Sequence, residues 1–148
     1  MIISWLIIAV SMALFLYWFR YTCVLILSTR TTKDYSEEVA TANRLSFAVV
    51  HGMIRAAEDE HLDGIQASLE RDYRLVQSLL KQAGAIRVQG EPIEEIMLRI
   101  DFRIMQAWCG LQRRVRGSGS RTALEEMAQI VAHFADTYGE SASQNASA

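Results

Sequence analysis

The sequence predicts an all-α protein: a single N-terminal transmembrane helix followed by a cytoplasmic bundle of three to four antiparallel helices. Two observations predict this class. Only one of the first 27 residues is charged, whereas the other 121 include all seventeen acidic residues and fourteen of the fifteen basic ones. Those 121 residues contain one proline, and none of their segments alternates apolar with polar side chains over a strand's length. The predicted organisation is a transmembrane anchor at 1–28, a helical bundle at 29–138 and a disordered tail at 139–148.

Residues 2–19 form an uncharged segment of eighteen residues. As a helix this segment is about 27 Å long, close to the roughly 30 Å of a hydrocarbon layer. The basic start and the small residues of a cleaved signal peptide are missing, so an uncleaved signal-anchor is predicted. Because Arg20, Arg30 and Lys33 all follow the segment, we expect the N-terminus outside and the C-terminal domain in the cytoplasm. Thirteen arginines against two lysines suggest a GC-rich genome, and hence a bacterial inner membrane.

The end of the anchor has two interpretations, which differ in the position of Arg20. Trp18 belongs to an aromatic cluster at 17–21 that is typical of a membrane interface, whereas Val24 to Leu27 is apolar again. In the first interpretation, Arg20 reaches lipid phosphates from the interface. In the second, the span continues to Leu27, and Arg20 lies below the headgroups and requires a partner on another subunit. In both, an apolar segment remains to contact another protein.

Two helices are predicted in the first half of the headpiece, which we define as residues 31–148. The first begins near Asp34, which can cap it. Its apolar stripe consists of Val39, Ala42, Ser46, Val49 and Met53. The second helix ends at Gly84, and its stripe consists of Leu62, Ile65, Leu69, Tyr73, Val76, Leu80 and Ala83. The two stripes are out of phase, which favours a break near residues 58–61 over one long twisted helix.

The third predicted helix opens at Gly90-Glu-Pro92 and ends in a basic cluster at Arg113, Arg114 and Arg116. Its stripe is Ile93, Ile96, Met97, Ile100, Ile104, Trp108 and Leu111, widened by Leu98, Phe102 and Met105. This is more apolar surface than one helix contact needs, so we expect this helix to be central or to touch a partner. A turn at 117–120 precedes the fourth helix, which a Thr122–Glu125 capping box begins. No large apolar side chain follows Gly139, which predicts the disordered tail.

The headpiece has thirteen basic and seventeen acidic residues, a net charge of −4, so nucleic acid is not an expected partner. We interpret the arginines at 113–121 chiefly as the positive charge that a helix C-terminus favours. A contact with anionic headgroups is the alternative. The two cysteines, Cys23 and Cys109, are predicted to be separate reduced thiols.

Histidine and glutamate provide the only candidates for a ligand site. Glu58 and His61 form a Glu-x-x-His pair, half of the di-iron motif of ferritin-like bundles. His51 and His133 lie in apolar stretches where facing imidazoles can hold a haem or metal. The chain has no second Glu-x-x-His, no Cys-x-x-Cys-His, no Gly-x-Ser-x-Gly and no glycine-rich nucleotide loop. We therefore expect no enzymatic activity, no cofactor and no metal site.

These features predict a single-pass, membrane-anchored interaction protein, an accessory or assembly subunit of a larger membrane protein complex. The expected partners are integral-membrane subunits and the lipid bilayer. The predicted contact residues are Trp18, Arg20, Val24, Leu27, Phe102, Met105 and Trp108. A membrane-tethered bundle that binds a metal or haem for electron transfer or sensing is the alternative function, and a homo-oligomeric membrane organiser is the third.

Overall fold

Six helices form the described part of the chain, which confirms the all-α prediction. The computed structural model describes residues 1–29, 34–56, 61–84, 92–116 and 120–147. The helices are α1 (Ile2–Ser28), α2 (Ser36–Asn43), α3 (Phe47–Ala56), α4 (Leu62–Gly84), α5 (Ile93–Arg116) and α6 (Arg121–Ser147). The chain divides into two compact units, Met1–Arg30 and Thr31–Ala148. The predicted break near 58–61, the predicted helix start at 90–92 and the predicted turn at 117–120 lie mostly outside the described residues.

Helix α1 is long enough and apolar enough to span a membrane, as predicted for the N-terminus. Its most apolar window of 18 residues has a mean hydropathy of 2.2, and none of that window is buried. Signal sequences share this length and composition. The polar side chains Thr22 and Ser28 donate to the carbonyls of Trp18 and Leu25, at 2.9 and 2.7 Å. These bonds satisfy hydroxyl groups that a hydrocarbon environment would otherwise leave without a partner.

Helix α6 is the centre of the headpiece, because α2, α3, α4 and α5 all pack against it. Its buried apolar side chains are Ala123, Leu124, Met127, Ala128, Ile130, Val131, Phe134 and Ala135. The several alanines let neighbouring backbones approach closely. Helix α5 was predicted to be central or to touch a partner. Since α6 is the central helix, only the second of these alternatives remains a prediction.

The first predicted headpiece helix is broken into α2 and α3. Arg44 adopts a left-handed conformation with φ of 53°, and the Leu45 N–H donates to the Ala40 carbonyl at 2.9 Å, which closes α2. The break shifts the helical phase, so α3 buries Phe47, Val50 and Ile54. The predicted stripe residues Val49 and Met53 are 63% and 53% exposed instead.

The second predicted helix is confirmed as α4, which buries Leu62, Ile65, Leu69, Tyr73 and Val76 and ends at Gly84. Its Asp72 carboxylate accepts hydrogen bonds from the backbone N–H groups of Ser46 and Phe47, at 2.5 and 3.0 Å. In one straight helix, residues 47 and 72 would be about 37 Å apart. The chain therefore reverses between α3 and α4, although residues 57–60 themselves lie outside the description.

The segment predicted to be a disordered tail is helical as far as Ser147. Gly139 and Ser141 are buried, and Asp136 accepts a hydrogen bond from the Tyr35 N–H at 2.7 Å. The absence of large apolar side chains therefore does not prevent packing, because small residues let α2 approach α6. The start of α6 also differs from the prediction: Ser120, and not Thr122, provides the first turn's acceptors, with its carbonyl 3.0 Å from the Leu124 nitrogen.

Candidate interaction surface

Helix α5 has two apolar faces, and only one of them packs inside the headpiece. The inner face consists of Leu98, Phe102, Met105 and Cys109, all buried. The Phe102 ring stacks on Tyr73 of α4, with centroids 3.9 Å apart and planes inclined by 6°. Phe134 of α6 makes an edge-on contact with Tyr73, with ring centroids 6.1 Å apart. The three rings join α4, α5 and α6.

This arrangement changes the expectation for two predicted contact residues. Phe102 and Met105 are only 1% and 7% exposed, because they form the inner face. A partner cannot reach them while the headpiece is folded. Trp108, the third α5 residue in the prediction, is 48% exposed and remains available.

The outer face of α5 is an exposed apolar stripe, which we name the outer stripe. It extends over 23 residues, about 33 Å of helix. Its members range from 41% to 74% exposed and are Ile93, Ile96, Ile100, Trp108, Leu111 and Val115. Five of the six belong to the apolar stripe that the sequence analysis identified in this helix. The residues predicted to widen that stripe, Leu98, Phe102 and Met105, form the buried inner face instead.

Polar contacts also join the C-terminal end of α5 to α4. The Arg113 guanidinium lies 2.9 Å from the Asp63 carboxylate and donates to Gln66 Oε1 at 2.7 Å. Gln66 in turn donates to Glu70 at 2.8 Å. If α5 rotated so that the outer stripe entered the core, the stacked inner rings would separate and these polar contacts would break.

Arginine side chains border one edge of the outer stripe. Arg103 and Arg114 are exposed and lie eleven residues, or three turns, apart, so they project from the same edge. In the part of the chain that the structure describes, neither guanidinium forms an ion pair. Arg99 lies one turn before Arg103 on that edge. Burial raises the pKa of the Tyr73 hydroxyl, and the positive charges of Arg99 and Arg103 lower it in part.

The predicted contact residues of α1 are divided between two faces of that helix. Arg20, Val24 and Leu27 follow a spacing of four and three residues and share one face. Trp18 lies on the other side, 60% exposed, with its ring 5.9 Å from that of Tyr21 in an edge-on contact. Val24 is exposed, and Arg20 and Leu27 are partly buried.

The candidate ligand residues are not brought together in the described structure. His61 is exposed at the start of α4, and His133 is partly buried in α6 beside Phe134. Glu58 and the His51 side chain lie outside the described residues. No group of three or more His, Cys, Asp or Glu side chains suited to a metal occurs among the residues described. Burial raises the pKa of the Cys109 thiol, which favours its protonated form.

No family model matches the chain, and no curated protein or solved structure matches it. The candidate surface therefore rests on the chain's own geometry.

Proposed function

We propose that this chain is a single-pass, membrane-anchored interaction protein that serves as an accessory or assembly subunit of a larger integral-membrane complex. Its N-terminus lies outside and its headpiece lies in the cytoplasm, in a bacterial inner membrane. The observation that carries the proposal is helix α1, whose apolar window is uncovered along its whole length. An exposed apolar window of 18 residues within a 27-residue helix requires lipid or other spans around it.

The face of α1 formed by Arg20, Val24 and Leu27 supports a protein partner in addition to lipid. Charged side chains within or beside a span usually face protein and not lipid. Val24 and Leu27 extend the same face by two turns. We therefore propose that this face meets an integral-membrane subunit.

The test is a mild-detergent purification of the full-length protein from its native membrane, with quantitative mass spectrometry of the proteins that remain bound. We expect a stoichiometric set of integral-membrane subunits. In the variant V24A/L27A, we expect most of these subunits to be lost. The control L14A/L25A removes two exposed leucines from the opposite face of α1 and should retain them.

A protein that purifies alone contradicts the proposal. If that protein also carries colour or near-stoichiometric metal, the membrane-tethered ligand-binding bundle replaces it. A lone but defined oligomer supports the homo-oligomeric membrane organiser.

A further inference from the structure

The outer stripe of α5 is the largest apolar surface of the headpiece that no described residue covers. A stripe about 33 Å long exceeds the scattered exposed apolar residues that are normal on a protein surface. Six large apolar side chains lie along it, and one of them, Trp108, has an amphipathic ring suited to a lipid headgroup region. The question is which surface covers this stripe.

Charge distribution distinguishes α5 from the rest of the headpiece. Helix α5 has five arginines and three acidic residues, a net charge of +2, whereas the remainder of the headpiece has a net charge of −6. Two of the three acids in α5, Glu95 and Asp101, are buried. The exposed charge beside the stripe is therefore mainly positive, on a domain that is otherwise acidic. Such a distribution orients α5 towards a negatively charged surface.

A second copy of the chain fits this surface less well. In an antiparallel pair of α5 helices related by a two-fold axis, the same edge of each helix meets its counterpart. Arg103 and Arg114 of one copy would then line up along the same rim as Arg103 and Arg114 of the other. Like charges placed together in this way are unfavourable. A bilayer that contains anionic lipids accepts both the apolar side chains and the arginines.

The covalent connection keeps the headpiece close to such a bilayer. Seven residues, 29–35, separate the end of α1 from the start of α2. Even fully extended, they reach no more than about 25 Å. A headpiece on so short a connection meets the lipid surface at a high effective concentration.

We infer that the outer stripe of α5 is a lipid-binding surface that lies on an anionic membrane. Ile100, Trp108 and Leu111 enter the headgroup region, and Arg103 and Arg114 bind lipid phosphates from the edge of the stripe. The inference rests on the proposed membrane anchor and goes beyond it, because it assigns a surface of the headpiece to lipid.

The experiment uses the full-length chain, one copy per nanodisc, so that a second copy cannot cover the stripe. In the variant W5F/W18F, Trp108 is the only tryptophan. Its emission is measured in nanodiscs of phosphatidylcholine with brominated chains, with or without phosphatidylserine. We expect quenching of Trp108 in the phosphatidylserine discs. This quenching should disappear in about 1 M salt, where the Debye length is about 3 Å.

Replacing the two edge arginines tests the charge contribution. R103Q/R114Q in the same background should lower the equilibrium constant for the lipid-bound headpiece roughly 30-fold, about fivefold for each arginine. The matched control R55Q/R74Q removes the same charge from exposed positions on α3 and α4 and should leave the quenching unchanged. Circular dichroism of each variant verifies that the helices are intact.

The lipid-binding inference is overturned if Trp108 is not quenched in either lipid, or if it is quenched equally in both. The anchor is tested separately by Trp5 in the variant W18F/W108F. If Trp5 is quenched and Trp108 is not, the anchor stands and the α5 surface is available to a protein partner. If Trp5 is not quenched, the anchor itself is wrong.

Discussion

Asp72 is a buried carboxylate that caps a helix other than its own. Its Oδ2 atom accepts the Ser46 and Phe47 N–H groups at the start of α3, at 2.5 and 3.0 Å. These donors have no partner within the first turn of α3. We predict that Asp72→Ala lowers the free energy of unfolding by about 2–3 kcal/mol, because it leaves buried donors without an acceptor. Asp72→Asn keeps an acceptor and should cost less.

Denaturant unfolding of the headpiece, followed by circular dichroism, measures this difference. The control is Asp63→Ala, which removes a more exposed ion pair with Arg113 and should change stability by less than about 1 kcal/mol. Equal losses for the Asp72 and Asp63 variants would mean that the cap contributes no more than a surface contact.

Gly139 of α6 lies against Tyr35, the residue before α2. A Cβ atom added at Gly139 would overlap the Cβ of Tyr35, so the two segments would have to move apart. Glycine inside a helix normally costs about 1 kcal/mol relative to alanine. At this position we predict the reverse effect of alanine on stability. Gly139→Ala should lower the free energy of unfolding of the headpiece by about 1–3 kcal/mol.

Gly110 in α5 provides the matched control, since nothing lies within 4 Å of an added Cβ there. Gly110→Ala should stabilise the protein by about 0.5–1 kcal/mol. The two midpoints of thermal or denaturant unfolding are compared under identical conditions. Stabilisation by both alanines would contradict the close packing of Tyr35 on Gly139.

His133 should make the stability of the headpiece depend on pH. Burial lowers the pKa of His133 below its ordinary value of 6.5, and the negative charge of Asp136 opposes this in part. Just below pH 6.5, the folded state therefore binds fewer protons than the unfolded state. The contribution of His133 to the free energy of unfolding consequently falls as the pH decreases below 6.5. His133→Gln should flatten this part of the stability profile. Equal slopes in the unmodified protein and in this variant would contradict the assignment.

At the scale of the element, the break between α2 and α3 depends on one residue. Arg44 has a φ of 53°, where a side chain costs about 1–2 kcal/mol and glycine costs nothing. We predict that Arg44→Gly raises the free energy of unfolding, by up to about 1 kcal/mol after the entropy of the unfolded glycine is subtracted. The same substitution at Arg74, exposed within α4, should lower it by about 1 kcal/mol. The measurement is the denaturant midpoint, and a loss at both positions would contradict the left-handed conformation of Arg44.

The sequence pattern was sufficient for α4 and insufficient for α5, for a physical reason. Helix α4 has one apolar stripe against charged residues, so periodicity alone identifies its buried face. Helix α5 has apolar side chains on two faces, Leu98 and Phe102 on one and Ile100 and Leu111 on the other. Both faces satisfy the same helical spacing, and only the positions of α4 and α6 decide which one is covered. The contact residues Phe102 and Met105 were misassigned for this reason.

Two other departures have local causes that composition does not reveal. The break at Arg44 contains neither glycine nor proline, and the capping carboxylate, Asp72, lies 26 residues beyond Ser46. The end of α6 is rich in alanine and serine, and its stability depends on contacts with Tyr35 that the sequence does not show. Such long-range partners appear only when the helices are packed.

At the scale of the molecule, the two units differ in the solvent that they require. The first is an apolar helix with most of its residues exposed, whereas the second has its own core around α6 and a net charge of −4. A bilayer beside an aqueous compartment satisfies both. The outer stripe of α5 is the part of the second unit with apolar side chains beside positive charge, and it is the part for which we infer a lipid contact.

The proposed topology depends on positive charge close to α1, and it can be inverted. Because Arg20, Arg30 and Lys33 follow the apolar segment, protease added to spheroplasts, in which the inner membrane is sealed and its outer surface accessible, should leave the headpiece intact, and the intact mass should include Met1. We predict that R20Q/R30Q/K33Q, with two lysines inserted after Met1, exposes most headpieces to the protease. The variant R55Q/R74Q/R114Q removes the same number of positive charges far from the segment. It should keep the original topology, since only charges within about 15–20 residues of a span direct its orientation. Digestion of the unmodified headpiece in sealed spheroplasts, or a mature mass without α1, would show that the segment directs export and does not anchor the headpiece in the cytoplasm.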